Sequence, residues 1–87
     1  MFYAYILRSE RDPKVVYHGF TRDLKKRLEV HNCGGNRSTS AMKPWRLLWY
    51  GVFEAEAAAM DFKRYLKTAS GKAFARKRLL VVSGESL

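Results

Sequence analysis

A chain of 87 residues with 47% hydrophobic content can build one domain around a modest core, and is too apolar to stay disordered. Its 17 Lys and Arg against 8 Asp and Glu leave a formal charge of +9, a field that favours polyanions, with nucleic acid the commonest such partner. Cys33 is the only cysteine, which excludes an internal disulfide, and no run is long enough to span a bilayer; a cytoplasmic protein that makes no membrane contact is expected.

In chain order, Phe2 to Leu7 has the composition of a strand, with Tyr3 and Tyr5 on one face and Ala4 and Ile6 on the other. Arg11-Asp12-Pro13-Lys14 is a turn signal. Val15 to Phe20 should return antiparallel with Val15, Tyr17 and Gly19 on one face, so that Tyr5 and Tyr17 share a side of the hairpin. If Thr21 caps a helix from Arg22 to about Asn32, stopped by Gly34-Gly35, then Leu24, Arg27, Leu28 and His31 fall at i, i+3, i+4 and i+7 on its inward stripe. That stripe aims an arginine and a histidine at the sheet. A guanidinium is expensive to desolvate, so an inward arginine implies either a structural acid partner or a wet cleft open to an anion.

Cys33 to Lys43 reads as a long polar loop, and Trp45 to Phe53 as a third strand, expected at the centre of the sheet because it is apolar on both faces. A second helix is expected from about Glu54 to Lys67, burying Ala55, Ala58, Ala59, Phe62 and Leu66. Thr68 to Gly71 should break it, before a short basic helix from Lys72 to Leu80 with Phe74 and Leu79 inward. The fold class is therefore α+β, a small three-stranded antiparallel sheet flanked by helices in the order β-β-α-β-α-α, with residues 1–80 as the domain and 81–87 as a tail.

The two histidines, His18 and His31, lack partners at zinc-site spacing, and neither Gly34-Gly35 nor Gly71-Lys72 has the flanks of a phosphate-binding loop. Tyr5, Tyr17, Arg27 and His31 remain, and together they suit phosphodiester chemistry. A tyrosine can position or deprotonate water, and an arginine can grip a non-bridging oxygen as charge builds. The plainer reading is that the tyrosines pack in the sheet while Arg27 pairs with an acid. Lys25 and Lys26 on the first helix, Arg64 and Lys67 on the second, and Lys72, Arg76 and Lys77 on the third would line a phosphate-tracking surface, or form ordinary solvated faces.

Tyr3-Ala4-Tyr5-Ile6-Leu7 and Tyr17-His18-Gly19, followed by Thr21, Asp23-Leu24, Arg27-Leu28, His31-Asn32, Thr39, Pro44-Trp45 and Tyr65-Leu66-Lys67 with Ser70-Gly71, resemble the GIY-YIG nuclease family in its small single-domain bacterial form. The resemblance covers nearly the whole chain. It implies a hydrolase that cuts one DNA strand, branched or damaged forms included, with a single divalent cation, Mg2+ or Mn2+. On that pattern Tyr5 and Tyr17 would surround water and the scissile phosphate, Arg27 would stabilise the phosphorane, and His31 would assist the nucleophile or its proton traffic.

The resemblance also implies a metal-holding glutamate at position 63, where this chain has Lys63. A lysine cannot ligate a hard cation at neutral pH and repels one. On a regular helix Asp61 faces away from Lys63, and Glu56 stands on the order of 10 Å along the axis, so neither replaces the ligand. Two explanations follow: an inactive form that keeps its phosphate-binding surface, or an ammonium that partly replaces the metal's charge. The function expected is a DNA endonuclease domain weakened or silenced at Lys63. The alternatives are a non-catalytic nucleic-acid-binding module using the same cleft, and a basic protein that dimerises through Trp45, Trp49 and the third strand.

Overall fold

The computed structural model describes residues 1–80, and the tail expected over 81–87 lies outside the described residues. Ala4, Tyr5, Ile6 and Leu7 are each at most 1% exposed, which requires a strand with a neighbour on both edges and a covered face on both sides. This strand, β1 (Phe2–Ser9), is the centre of a three-stranded antiparallel sheet in the order β2-β1-β3, with β2 at Val16–Thr21 and β3 at Trp45–Phe53. The sequence expectation that β3 is central is thus overturned. Its apolar run serves two half-covered faces at a sheet edge, where Tyr50 and Val52 remain about half exposed, at 49% and 51%.

The register between β1 and β3 shifts between Ile6 and Leu7, which pair with Trp49 and Leu47 and leave Leu48 as the extra residue of a bulge. The bulge lets Leu48 and Trp49 both pack on one side, while Trp45 and Leu47 pack on the other. One face of the sheet joins Tyr5, Leu7 and Trp45 to Val15, Tyr17 and Met42, and to Leu24 and Leu28 of α1 (Leu24–Asn32). The opposite face joins Ile6 to Leu66 and Phe62 of α2 (Glu56–Leu66), and to Ala75 and Leu79 of a π-helical turn (Ala75–Leu79) that follows α3 (Ala69–Phe74). The element order is the one expected, and the helices cover the sheet from both sides.

Helix starts depart from expectation for chemical reasons. Asp23, not Thr21, caps α1: its carboxylate accepts from the Lys26 amide at 3.1 Å, while the Thr21 hydroxyl accepts from the Asp23 amide one step earlier. Helix α2 begins at Glu56, and Ala55 and Ala58 are exposed, so its buried stripe narrows to Ala59, Phe62 and Leu66. The expected break at 68–71 is a cap instead: Thr68 Oγ1 accepts from the Gly71 amide at 3.0 Å and starts α3 at Ala69. A Cβ at Gly71 would run into the Tyr65 carbonyl, so glycine is what lets α3 fold back onto the end of α2. Phe74, expected inward, is 37% exposed, edge-on to Phe62 and tilted against Tyr65, whereas Leu79 packs inward as expected.

Ser9 closes the far end of β1, donating to the Met42 carbonyl and accepting from the Arg11 and Asp12 amides. Trp45 is buried and the partly buried Trp49 ring packs 5.6 Å from that of Phe62. Among the described residues, no helix is long and apolar enough to cross a membrane.

Leu66 is fully buried beneath Ile6, so Leu66→Ala should cost about 2–5 kcal/mol, seen as a lower urea midpoint at unchanged slope. A midpoint equal to the parent's would show that α2 is not docked on the sheet through this residue.

Candidate functional site

The register sets Tyr5 opposite Gly19, and the Tyr5 ring occupies the space a side chain at position 19 would need. Any Cβ there would overlap the phenol. With that space open, Tyr5 reaches α1, and its hydroxyl hydrogen-bonds His31 Nε2 at 2.9 Å. His31 Nδ1 in turn lies 2.8 Å from Thr39 Oγ1, whose hydroxyl points to the Asn36 carbonyl at 3.4 Å. The Thr39 carbonyl accepts from Trp45 Nε1 at 2.9 Å. Next to His31, Asn32 clasps the Trp45 backbone, donating to its carbonyl at 3.1 Å and accepting from its amide. The last turn of α1, the loop before β3 and the start of β3 are thereby held as one piece.

Tyr5, His31 and Thr39 are all buried, and no described buried side-chain nitrogen or oxygen lacks a partner. Burial pushes the His31 pKa down, and the charge of Arg27 pushes it further, so the imidazole is neutral. Burial raises the Tyr5 pKa; a hydrogen bond from Arg27 opposes the rise, Tyr17 adds to it, and the charge of Arg27 again opposes it. The phenol keeps its proton. The consistent arrangement has Tyr5 donating to Nε2, the Nδ1–H donating to Thr39, and Thr39 donating to the Asn36 carbonyl.

Tyr17 and Arg27 are half-buried at the mouth of this arrangement. The Tyr17 ring meets His31 edge-on at 4.9 Å and lies 6.3 Å from Tyr5. Arg27 sits one helical turn before His31 with its guanidinium against the Tyr5 oxygen. The ion pairs among the described residues are Arg22–Glu56 and Arg64–Asp61, so no described acid partners Arg27. Tyr5, Tyr17, Arg27 and His31 are therefore brought together, with Tyr5 and His31 at the base.

From the C-terminal end of α2 a cation reaches the site. The Lys67 ammonium stands 6.0 Å from the centre of the Tyr17 ring, a contact with no counterpart in the sequence reading. Half-buried Lys63 lies one turn earlier, its pKa pulled down by burial, then by Lys67 and Arg64. Asp61 is turned to Arg64 at 3.4 Å and Glu56 to Arg22 at 3.4 Å, both in solvent. Among the described residues, no three His, Cys, Asp or Glu side chains cluster as metal ligands. The donor set does not fit the divalent cation that the resemblance implies, because the position that should supply a carboxylate supplies an ammonium beside two further positive charges.

Of the other basic candidates, Lys25, Lys26 and Lys77 are exposed and Arg64 is tied to Asp61, while Lys72 and Arg76 lie on the opposite face of the sheet from Tyr17. The role of Thr39 as the partner of His31 was not readable beforehand, since only closure of an irregular loop brings the two together.

The family model described as the GIY-YIG catalytic domain matches residues 1–78. The chain is also similar to UPF0213 proteins of Streptococcus pyogenes from serotypes M5 (strain Manfredo), M2 (strain MGAS10270) and M28 (strain MGAS6180). Each is 44% identical over 65 residues, covering 74% of this chain and 71% of the relative.

Thr39→Val leaves the His31 Nδ1–H buried without an acceptor and should cost about 1–3 kcal/mol in urea unfolding, whereas Thr39→Ser should recover most of it. A valine variant as stable as the parent would show that the His31–Thr39 hydrogen bond contributes nothing to the fold. His31 and His18 are both held below the ordinary 6.5, so on acidification the unfolded chain takes up protons first. Their contribution to stability is intact above that value and is lost as the pH falls below it. Thermal melts taken from about pH 8 to about pH 5 should show the midpoint dropping in the lower half of that range, and a flat profile would contradict the burial of these rings.

Proposed function

This chain belongs to the GIY-YIG catalytic-domain family, a nuclease-type family, and we propose that it is a DNA-directed member whose cleft grips a phosphodiester while Lys63 silences most metal-dependent cleavage. The observation that carries this reading is that Arg27 meets the Tyr5 phenol and the Lys67 ammonium stands 6.0 Å from the Tyr17 ring, neither cation ion-paired to a described residue, with Lys63 next to Lys67.

Arg27 presents a planar fork of donors at the mouth, which matches two oxygens of a phosphate better than a point charge does. Half-buried Tyr17, its ring 6.3 Å from that of Tyr5, offers a hydroxyl donor to the same oxygens, and Lys67 supplies charge from its place 6.0 Å from the Tyr17 ring. Tyr5 takes a supporting part here. It is buried and its proton is committed to His31, so it orients Arg27 and does not reach water. His31 anchors Tyr5 in the same way.

In this family a divalent cation generally supplies Lewis acidity and an oriented water. The residues at position 63 and around it oppose such a cation, and no described side chain in the cleft is a free base of suitable strength to replace it. The chemistry left to the cleft is binding, orientation and charge neutralisation of the phosphate. An expected cytoplasmic setting agrees with a DNA partner and with Cys33 as an exposed thiol.

The test is nicking of supercoiled plasmid with magnesium or manganese by the parent and by Lys63→Glu. Removal of several kcal/mol of metal assistance corresponds to a difference on the order of 100-fold or more in favour of the variant. Arg27→Ala in the Lys63→Glu background should abolish cutting with little change in stability, because Arg27 is half-exposed and makes no ion pair with a described residue. Equal nicking by parent and Lys63→Glu would remove position 63 from the site.

A further inference from the structure

On the other face of β2 an open groove of about 610 Å3 lies outside the cleft. Arg8 of β1, Lys14 of the hairpin turn, His18 of β2, Lys72 of α3 and Arg76 of the π-helical turn line it, over an apolar floor of Val16 and Ala75. No described acidic residue lines it, and its four cations make no ion pair with a described residue. Segments far apart in sequence thus gather like charges round one concavity, which focuses a positive potential there.

The groove continues the cleft. Tyr17 and His18 are neighbours on β2 and point to opposite faces, and β2 is an edge of the sheet, so only the width of one strand separates the two surfaces. Lys67 spans that edge. Its ammonium stands 6.0 Å from the Tyr17 ring, and together with Lys72 its charge holds the His18 pKa below the ordinary range, after burial itself. A chain of anions gripped by Arg27 and Lys67 therefore meets Lys72, Arg76, Arg8 and Lys14 next. Evenly spaced charge of this kind is what a nucleic-acid backbone carries, and cations track it without reading sequence.

We propose that the Arg8–Lys14–His18–Lys72–Arg76 groove is a second backbone site, holding phosphodiesters of the DNA strand after it leaves the cleft and crosses the β2 edge. The proposal rests on the reading of the cleft as DNA-directed, and adds the path of the strand beyond it. Neutral His18 contributes a hydrogen-bond donor to that path, while the four cations supply the charge.

The experiment measures binding of the full chain to a labelled duplex of about 20 base pairs, longer than the 31 Å extent of the protein, across a salt series. Arg8→Gln/Lys14→Gln is compared with Arg37→Gln/Lys43→Gln, an equal charge change on exposed loop residues outside the groove. Loss of two phosphate contacts should flatten the slope of log affinity against log salt by about 1.8, while the loop pair moves it far less. The His18 ring resonances should also shift when the duplex is added to the parent, and shift less in the groove variant.

Equal slopes for the two double variants, or His18 resonances unmoved in the DNA-bound protein, would overturn the proposal. So would polyglutamate of matched charge moving His18 as far as DNA does, because the groove would then be a site for acidic polypeptide. Arg27→Ala separates the two readings. If it binds DNA like the parent while the groove pair loses affinity, the groove is supported and the cleft reading fails; weakened binding in Arg27→Ala alone overturns the groove and leaves the cleft.

Discussion

A phenol, an imidazole and a threonine hydroxyl, all out of reach of water, hydrogen-bond in series from β1 through α1 to the loop before β3. Each group in such a chain is costly if left unpaired, so the three segments can be displaced only together. The placement of α1 follows from it. With His31 pinned to Tyr5, and Leu24 and Leu28 packed on the same sheet face, the rotation of the helix is set and Arg27 is delivered to the mouth of the cleft. Gly19 is the counterpart on β2, since a larger residue would displace the ring on which the chain begins.

Around this neutral base the charges are all of one sign. Arg27 meets Tyr5, Lys67 stands over Tyr17 and Lys63 lies beside Lys67, while Asp61 and Glu56 are engaged elsewhere by exposed arginines. Such an arrangement attracts an anion and resists a cation. Exposed ion pairs like Arg64–Asp61 contribute little stability, so they do not explain the layout; burial first, and then the charges of Lys67 and Arg64, pull the Lys63 pKa down. An arriving phosphate relieves that repulsion, whereas an arriving divalent metal adds to it.

Much of this was legible in the sequence because it depends on short periods. Alternation placed Tyr5 and Tyr17 on one side of a hairpin, and the 3.6-residue period placed Leu24, Arg27, Leu28 and His31 on one stripe. At position 63 the resemblance implies an acid, and the sequence has Lys63. Sheet order was not legible, because the apolar run of β3 looks the same whether both its faces are half-covered at an edge or fully covered at the centre. Thr21 and Asp23 are both capping residues, and only the backbone decides between them. Thr68-Ala69-Ser70-Gly71 has a breaker's composition yet forms a cap, because Gly71 fits against the Tyr65 carbonyl. The partnership of His31 with Thr39, and of Arg8 with Lys72, needs tertiary closure and leaves no local trace.

Strand β2 concentrates these properties because it is an edge. An edge strand exposes unpaired backbone groups, and proteins protect such edges with charge or a covering element. Here Lys67 and Lys72 stand beside the edge, with Tyr17 on one side and His18 on the other. The same cations that discourage another strand from pairing there also favour a phosphate chain running over it. Because a strand alternates its faces residue by residue, one short segment serves the cleft with Tyr17 and the groove with His18, and any shift of register by one residue would exchange the two rings and dismantle both surfaces together.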